Sequence, residues 1–364
     1  MVLDDQKSLS TFRRRIISWY AEHARSLPWR GTVDPYRIWV SEIMLQQTTT
    51  KTVEGYFDRF IERFPTVRDL ALAELDQVNR LWEGLGYYRR CAQMHHAARE
   101  IVSRFDGVFP DRPDDVRRLP GIGRYTAGAI LSIAFDRREP ILEANTIRLY
   151  ARLTGLRADP TQRAANEMLW DFAERILPKK NVGRFNQALM DLGSMICSAK
   201  CPRCAECPLT AFCETARLGL QESIPCPKIK ENKIDRTEVA LLVRREKKIL
   251  VIRYPKGVRW AGLWDFPRAE SKAEIPLEIA SDRPLLKMLS IMTGRKLSIG
   301  LPIATMKHVV TRYRITLYFC EGIDDGKSIS EDKRPSYETR WVSLSELQHL
   351  PMNSTARKLV QSIF

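Results

Sequence analysis

Apolar residues return every three to four positions through most of the first 217 residues, the spacing of one face of an α-helix. Phe12, Ile16, Trp19 and Tyr20 mark one such face, Ile101 with Phe105 another, and Leu169 with Phe172 and Ile176 a third. The pattern predicts an almost wholly helical segment from Ser8 to about Arg217. It then breaks. Ser223-Ile224-Pro225-Cys226-Pro227-Lys228 and the polar run 230–236 read as a linker. Beyond it, β-branched runs bounded by charge at 239–243, 248–252 and 313–319 predict strands, and 355–364 predicts a closing helix. The change of period places a helical domain at 1–218, a linker at 219–236 and a mixed domain at 237–364. The fold class is α+β and multidomain.

With 364 residues, two such domains can each bury a core, and no internal repeat links them. No apolar run approaches the ~20 residues of a membrane span. The first fifteen residues are charged and lack the apolar centre of a signal peptide, which predicts a cytoplasmic protein without membrane contact. A net charge of +15 points to a polyanionic partner, above all nucleic acid, although charge alone does not separate DNA from RNA or a membrane.

Three stretches carry chemistry. Leu119-Pro120-Gly121-Ile122-Gly123-Arg124-Tyr125 sets two glycines at a tight turn before an apolar helix, so backbone N–H groups and the helix N-terminus can meet a phosphate; an ordinary interhelical loop reads the same way. Some twenty residues on, Glu143 precedes a helix start at Asn145 or Thr146, where the positive helix end should keep it ionised. Glu42, four residues after Ile38 and three before Leu45, shares their apolar face. A carboxylate there loses hydration, its pKa rises, and it becomes a candidate general acid; a glutamate snorkelling from the helix flank is the competing reading. Two carboxyl groups with divided protonation states suit cleavage of a glycosidic bond. Five of the eight cysteines lie between Cys197 and Cys213, and Cys197-x6-Cys204-x2-Cys207-x5-Cys213 suits a cluster or zinc, with Cys201 left over. Disulfides are disfavoured without an export signal.

Together these residues resemble the endonuclease III, or helix-hairpin-helix, superfamily of DNA glycosylases, and within it the adenine DNA glycosylase family, over nearly the whole chain. The resemblance implies an all-α glycosylase domain with a cluster module at 192–217 and a C-terminal Nudix-like α/β domain. It implies a [4Fe–4S] cluster on Cys197, Cys204, Cys207 and Cys213, with Cys201 a bystander. Ser41-Glu42-Ile43-Met44-Leu45-Gln46-Gln47-Thr48 is similar to the helix in which Glu42 would protonate adenine and Gln47 would enter the base stack. Gly84-Leu85-Gly86-Tyr87 is similar to the loop whose tyrosine wedges beside 8-oxoguanine. Gly121, Gly123, Arg124, Tyr125 and Asn145 become implied DNA contacts, and Gln187, in Phe185-Asn186-Gln187, an implied reader of the purine edge. Where bifunctional members carry lysine, Tyr125 cannot form an imine, so the implied activity leaves an abasic site. Trp260-Ala261-Gly262-Leu263-Trp264-Asp265-Phe266-Pro267 matches the Nudix-like domain, but the acidic hydrolase helix after it is missing.

Two stretches depart from the family pattern. Glu143-Ala144-Asn145 stands where Asp-Gly-Asn is usual. Aligning on His308 puts Val310-Thr311-Arg312 at the usual Phe-Ser-His, so Thr311 keeps a hydroxyl and Arg312 offers forked donors. The implied substrate is duplex DNA with adenine opposite 8-oxoguanine or guanine, acted on by a monomer in base excision repair at a bacterial nucleoid, with the linker a contact for a replication clamp. Two other readings share the scaffold: a lesion-binding protein that has lost catalysis, and a thymine mismatch glycosylase. A nucleotide pyrophosphohydrolase is disfavoured by the missing acidic helix.

Overall fold

The computed structural model describes residues 5–226, 232–272, 279, 281–310, 312–328 and 337–363. They form two compact units: the described residues of Met1–Leu72 with Gln93–Ile229, and those of Ala73–Ala92 with Lys230–Phe364.

The first unit is helical throughout. Gln6–His23 is capped by Asp5, whose side chain accepts from the Ser8 N–H, and buries the predicted stripe of Phe12, Ile16, Trp19 and Tyr20. Asp34 caps Pro35–Leu45, with proline at the first helical position, where no donor is lost. Arg124–Phe135, Ala144–Thr154 and Val182–Met195 follow, and Leu149, Tyr150, Phe172, Phe185 and Leu189 join the core around Phe12. Gly121 turns the chain at φ +79°, and a Cβ there would lie 2.9 Å from Gln93 Cβ, so the hairpin before Arg124–Phe135 needs glycine. Gly193 serves packing instead: a Cβ there would lie 2.9 Å from the Asn145 carbonyl oxygen, at the start of Ala144–Thr154.

In the second unit, among the described residues, β1 (Ile234–Arg245), β2 (Lys248–Arg253), β3 (Trp264–Asp265), β4 (Arg268–Ser271), β5 (Arg295–Val310), β6 (Tyr313–Ser328) and β7 (Glu338–Ser343) form one sheet. Its main path runs β3-β2-β1-β6-β5, with β4 on β1 and β7 on β2. β1 alternates between two cores. Ala240 and Leu242 face one with Phe266, Leu317 and Leu359; Val239, Leu241 and Val243 face the other with Leu285 and Leu289. The strands expected at 239–243, 248–252 and 313–319 fall within β1, β2 and β6, and the closing helix is Ser354–Ile363. The sequence pattern missed β5, whose pairing with β6 shifts register between Ile299 and Ala304 and whose alternation is broken by the exposed run Leu301-Pro302-Ile303.

Candidate active site

Beneath the hairpin of the first unit lies a cleft of about 810 Å³, lined by Arg25, Arg30, Glu42, Tyr125, Glu143 and Asn145, with Gln47, Gly123 and Arg124 also on its wall. Glu42 comes from the middle of Pro35–Leu45, the helix whose apolar stripe it interrupts, and is 6% exposed. Burial pushes its carboxyl pKa up, and the charge of Glu143 adds to the rise. The Tyr125 hydroxyl donates to Glu42 Oε2 and, with Arg30, offsets part of it. The Tyr125 hydroxyl therefore holds the Glu42 carboxyl in place. Tyr125→Phe removes that donor and raises the Glu42 pKa further, so the Glu42 carboxyl, followed by its infrared band, is expected to titrate at higher pH; a titration that stays put would show that Tyr125 does not act on Glu42.

Glu143 occupies the N-cap of Ala144–Thr154 in extended conformation. Oε1 accepts from the Thr146 N–H and Oε2 from the Asn145 N–H, both at 2.9 Å, while the Thr146 hydroxyl accepts from the Glu143 N–H at 2.8 Å and completes a capping box. The longer side chain thus folds back onto the helix end, and Ala144, the first helical residue, sits where a Cβ is at home. The ionised state expected from the helix end meets an opposing effect: burial is larger and raises the pKa, with the two backbone N–H groups, Arg148 and Arg25 opposing it. Asn145, taken from the sequence as a DNA contact, uses its amide internally as well. Nδ2 donates to Glu143 Oε2 at 3.2 Å and Oδ1 accepts from Arg148 at 2.9 Å, and Arg148 Nε donates to the Cys197 carbonyl at 2.7 Å.

Three residues that sequence reasoning missed act at the same cleft: Arg25 and Arg30 line it, and Asp191 holds both. Asp191, with no exposed side chain, accepts two bonds from the Arg25 guanidinium at 2.6 and 2.9 Å and one from Arg30 at 3.2 Å. Arg30 also donates to the Tyr20 hydroxyl at 3.2 Å, and that hydroxyl donates to Gln187 Oε1 at 3.1 Å, so the expected purine reader has its carbonyl end engaged. Held this way, Arg25 favours the charged form of Glu143 and Arg30 that of Glu42.

Gln47 stands exposed at the rim with φ +58°, directly after the Glu42 helix ends. Gly121 and Gly123 are exposed at the hairpin, and the Arg124 guanidinium lies 3.9 Å from the Trp170 ring centroid. Tyr87 belongs to the second unit, where it is 53% exposed at φ +49°. Arg312 is exposed in the turn joining β5 to β6, its Nε donating to the Tyr313 hydroxyl at 3.1 Å; Thr311 lies outside the described residues.

Cys197, Cys204, Cys207 and Cys213 line one cavity together with Leu149 and Arg152, whereas Cys201 is exposed and its carbonyl accepts from the Ser198 hydroxyl. Among the described residues no three His, Cys, Asp or Glu side chains are set to hold a single metal ion. Buried Arg152 ties the surrounding loops, donating to the carbonyls of Ser198, Ala199, Gln221 and Ile224 and to Cys197 Sγ.

Residues 40–175 match the HhH-GPD superfamily of base excision DNA repair proteins, and residues 238–362 match the NUDIX domain. An adenine DNA glycosylase of Rattus norvegicus is 41% identical over 58% of this chain and 43% of its own, so the chain spans less than half the length of that relative. An adenine DNA glycosylase of Buchnera aphidicola is 31% identical over 96% of this chain and 97% of its own. A solved structure of a thermostable thymine-DNA glycosylase superposes with TM-score 0.54 and 27% identity, covering 58% of this chain and 98% of that one.

Proposed function

The chain belongs to the adenine DNA glycosylase family of HhH-GPD base excision DNA repair proteins, with a NUDIX-like second domain, and from that premise we propose that it hydrolyses the N-glycosidic bond of adenine opposite 8-oxoguanine or guanine in duplex DNA. The observation that carries this reading is the pairing of Glu42 and Glu143 in one cleft with unequal hydrogen-bond surroundings. Glu143 receives two backbone N–H bonds and a side-chain amide, which favour its charged form. Glu42, the more deeply buried of the two, receives one tyrosine hydroxyl, so of the two carboxyl groups Glu42 is the one that keeps its proton. Glu42 then protonates a ring nitrogen of the flipped adenine and makes it a neutral leaving group. The Glu143 carboxylate faces the positive charge that develops on the sugar, and water adds there, its oxygen bonding to the sugar carbon as one of its protons passes to the carboxylate. Tyr125 offers no amine, so the products are adenine and an abasic site with the strand intact.

The four cysteines fit a [4Fe–4S] cluster: an all-thiolate donor set around one cavity, with Cys201 exposed and outside it. Bound there, it would cross-link the loop that Arg152 ties to the helix Ala144–Thr154. The exposed glycine hairpin and Arg124 suit a phosphate, Gln47 the base stack, and Tyr87, Thr311 and Arg312 the base opposite adenine. Gln187 is assigned to the purine edge through its amide nitrogen. The same reading places the protein at chromosomal DNA and gives the linker as a contact for a replication clamp.

Single-turnover base release from duplexes bearing A:8-oxoguanine, A:G, A:T and T:G pairs tests the assignment. Adenine release from the first two, without borohydride-trapped adduct, is the expected result. Thymine release from T:G without adenine release would make the chain a thymine glycosylase, as the thymine-DNA glycosylase likeness allows. Tight binding with no base released would make it a lesion-binding protein.

A further inference from the structure

Ala73–Ala92 interrupts the helical half of the sequence yet packs within the C-terminal unit. Two ties fix its first helix and the turn that follows. Arg253 on β2 donates to Asp76 Oδ1 at 2.5 Å. Glu83, at the end of Leu75–Trp82, meets Arg357 of Ser354–Ile363 in a forked pair, Nε to Oε1 at 2.6 Å and the second nitrogen to Oε2 at 3.3 Å. Both side chains are buried, 11% exposed for Arg357 and 8% for Glu83, so the pair is neither loosened by water nor screened by salt as a surface pair would be.

Arg357 is itself anchored. Its remaining donors reach the carbonyls of Leu347, Gln348 and Leu350, the end of the helix Leu344–His349, where such carbonyls lack helical partners. The Met352 N–H donates to Glu83 Oε2 at 3.4 Å and the Met352 carbonyl accepts from the Tyr88 hydroxyl at 3.2 Å. One C-terminal segment, 347–357, thus grips the residues on both sides of a four-residue loop. In that loop Gly84, Gly86 and Tyr87 all have positive φ, 105°, 71° and 49°. A tyrosine in that conformation is held by its surroundings. Arg90 adds a second hold, its guanidinium 5.4 Å from the ring centroids of both Trp82 and Tyr87. What projects from this frame is the Tyr87 ring.

We propose that Arg357 is a positioning residue which, through Glu83, holds the 84–87 loop so that Tyr87 is presented to the base opposite the excised adenine. The inference rests on the reading of Tyr87 as the aromatic wedge. The same unit bears Arg312 in the β5–β6 turn, so both stretches assigned to reading the opposite base lie in one compact unit.

The test uses the full chain and the ratio of single-turnover rates on A:8-oxoguanine and A:G duplexes, with hydrogen exchange followed over 83–90. Arg357→Met is expected to lower the ratio on the order of tenfold, less than the ~10²-fold that a full ångström of misplacement can cost. The rate on A:G should hold, exchange over 83–90 should quicken, and Arg357→Lys should fall between. Tyr87→Ala is the control. If Tyr87→Ala collapses the ratio and Arg357→Met leaves it and the exchange unchanged, the clamp is wrong and the wedge stands. If Tyr87→Ala leaves the ratio unchanged, the wedge reading fails and the inference with it. Should Arg357→Met not fold, Glu83→Gln, which keeps size and loses charge, reads out the same ratio.

Discussion

Glu42→Gln is expected to lower single-turnover adenine release by about 10³-fold, within the ~10²–10⁴-fold range of a lost general acid, while binding to the mispaired duplex persists. Glutamine keeps the shape of the side chain and an oxygen for the Tyr125 hydroxyl, but it has no proton to give. The variant should also be no less stable than the parent. The raised pKa of Glu42 means that the folded protein binds this proton more tightly than the unfolded chain. Stability from this group is therefore present below the ordinary carboxylate pKa and lost as pH rises through the raised folded value. Glutamine never ionises, so its advantage over the parent should grow across that interval and then level off. Unfolding followed against pH checks the sign. A variant that loses activity because it is unfolded at neutral pH would remove the claim that Glu42 is a buried acid retained for chemistry.

Much of this site was readable before the fold was known, for local reasons. Glu42 was legible because a helix repeats its faces within one turn, and a charge on the apolar stripe shows in three neighbouring residues. The gathering of four cysteines around one cavity was legible because their spacing is a short-range property. Asp191 was not: its partners Arg25 and Arg30 lie 166 and 161 residues away, and its helix shows one acidic residue with nothing to mark it. The allegiance of Ala73–Ala92 was hidden for the same reason, since Asp76 and Glu83 find their arginines 177 and 274 residues later. Composition shifts mark where a chain changes period, and this segment does not change period when it changes unit. Likewise β5 was lost because its register shift and the exposed run Leu301-Pro302-Ile303 cut one alternating pattern into two short ones.

The last expectation concerns the residue that departs from the family pattern, where side-chain length and charge can be separated. If length placed the carboxylate, Glu143→Asp would pull it back and cost about 10²-fold. The capping box argues otherwise. Both oxygens are held at 2.9 Å by the N–H groups of Asn145 and Thr146, so their place is dictated by the helix end. That end is in turn fixed by the close approach of the Asn145 carbonyl to Gly193. Aspartate is among the best N-cap residues and reaches the same two donors with one methylene less to fold back. Glu143→Asp is therefore expected to stay within about tenfold of the parent rate and to be equally stable, because charge and cap both survive. Glu143→Gln keeps the length and one acceptor but removes the charge from beside the developing cation, and should fall by about 10²–10³-fold. Single-turnover rates on the A:8-oxoguanine duplex, with melting temperatures alongside, rank the three proteins. Parent and Asp together above Gln would show that the helix N-terminus, rather than the side chain's reach, sets the position of the charge. Parent and Gln together above Asp would show that length matters and that Glu143 does not act through its charge.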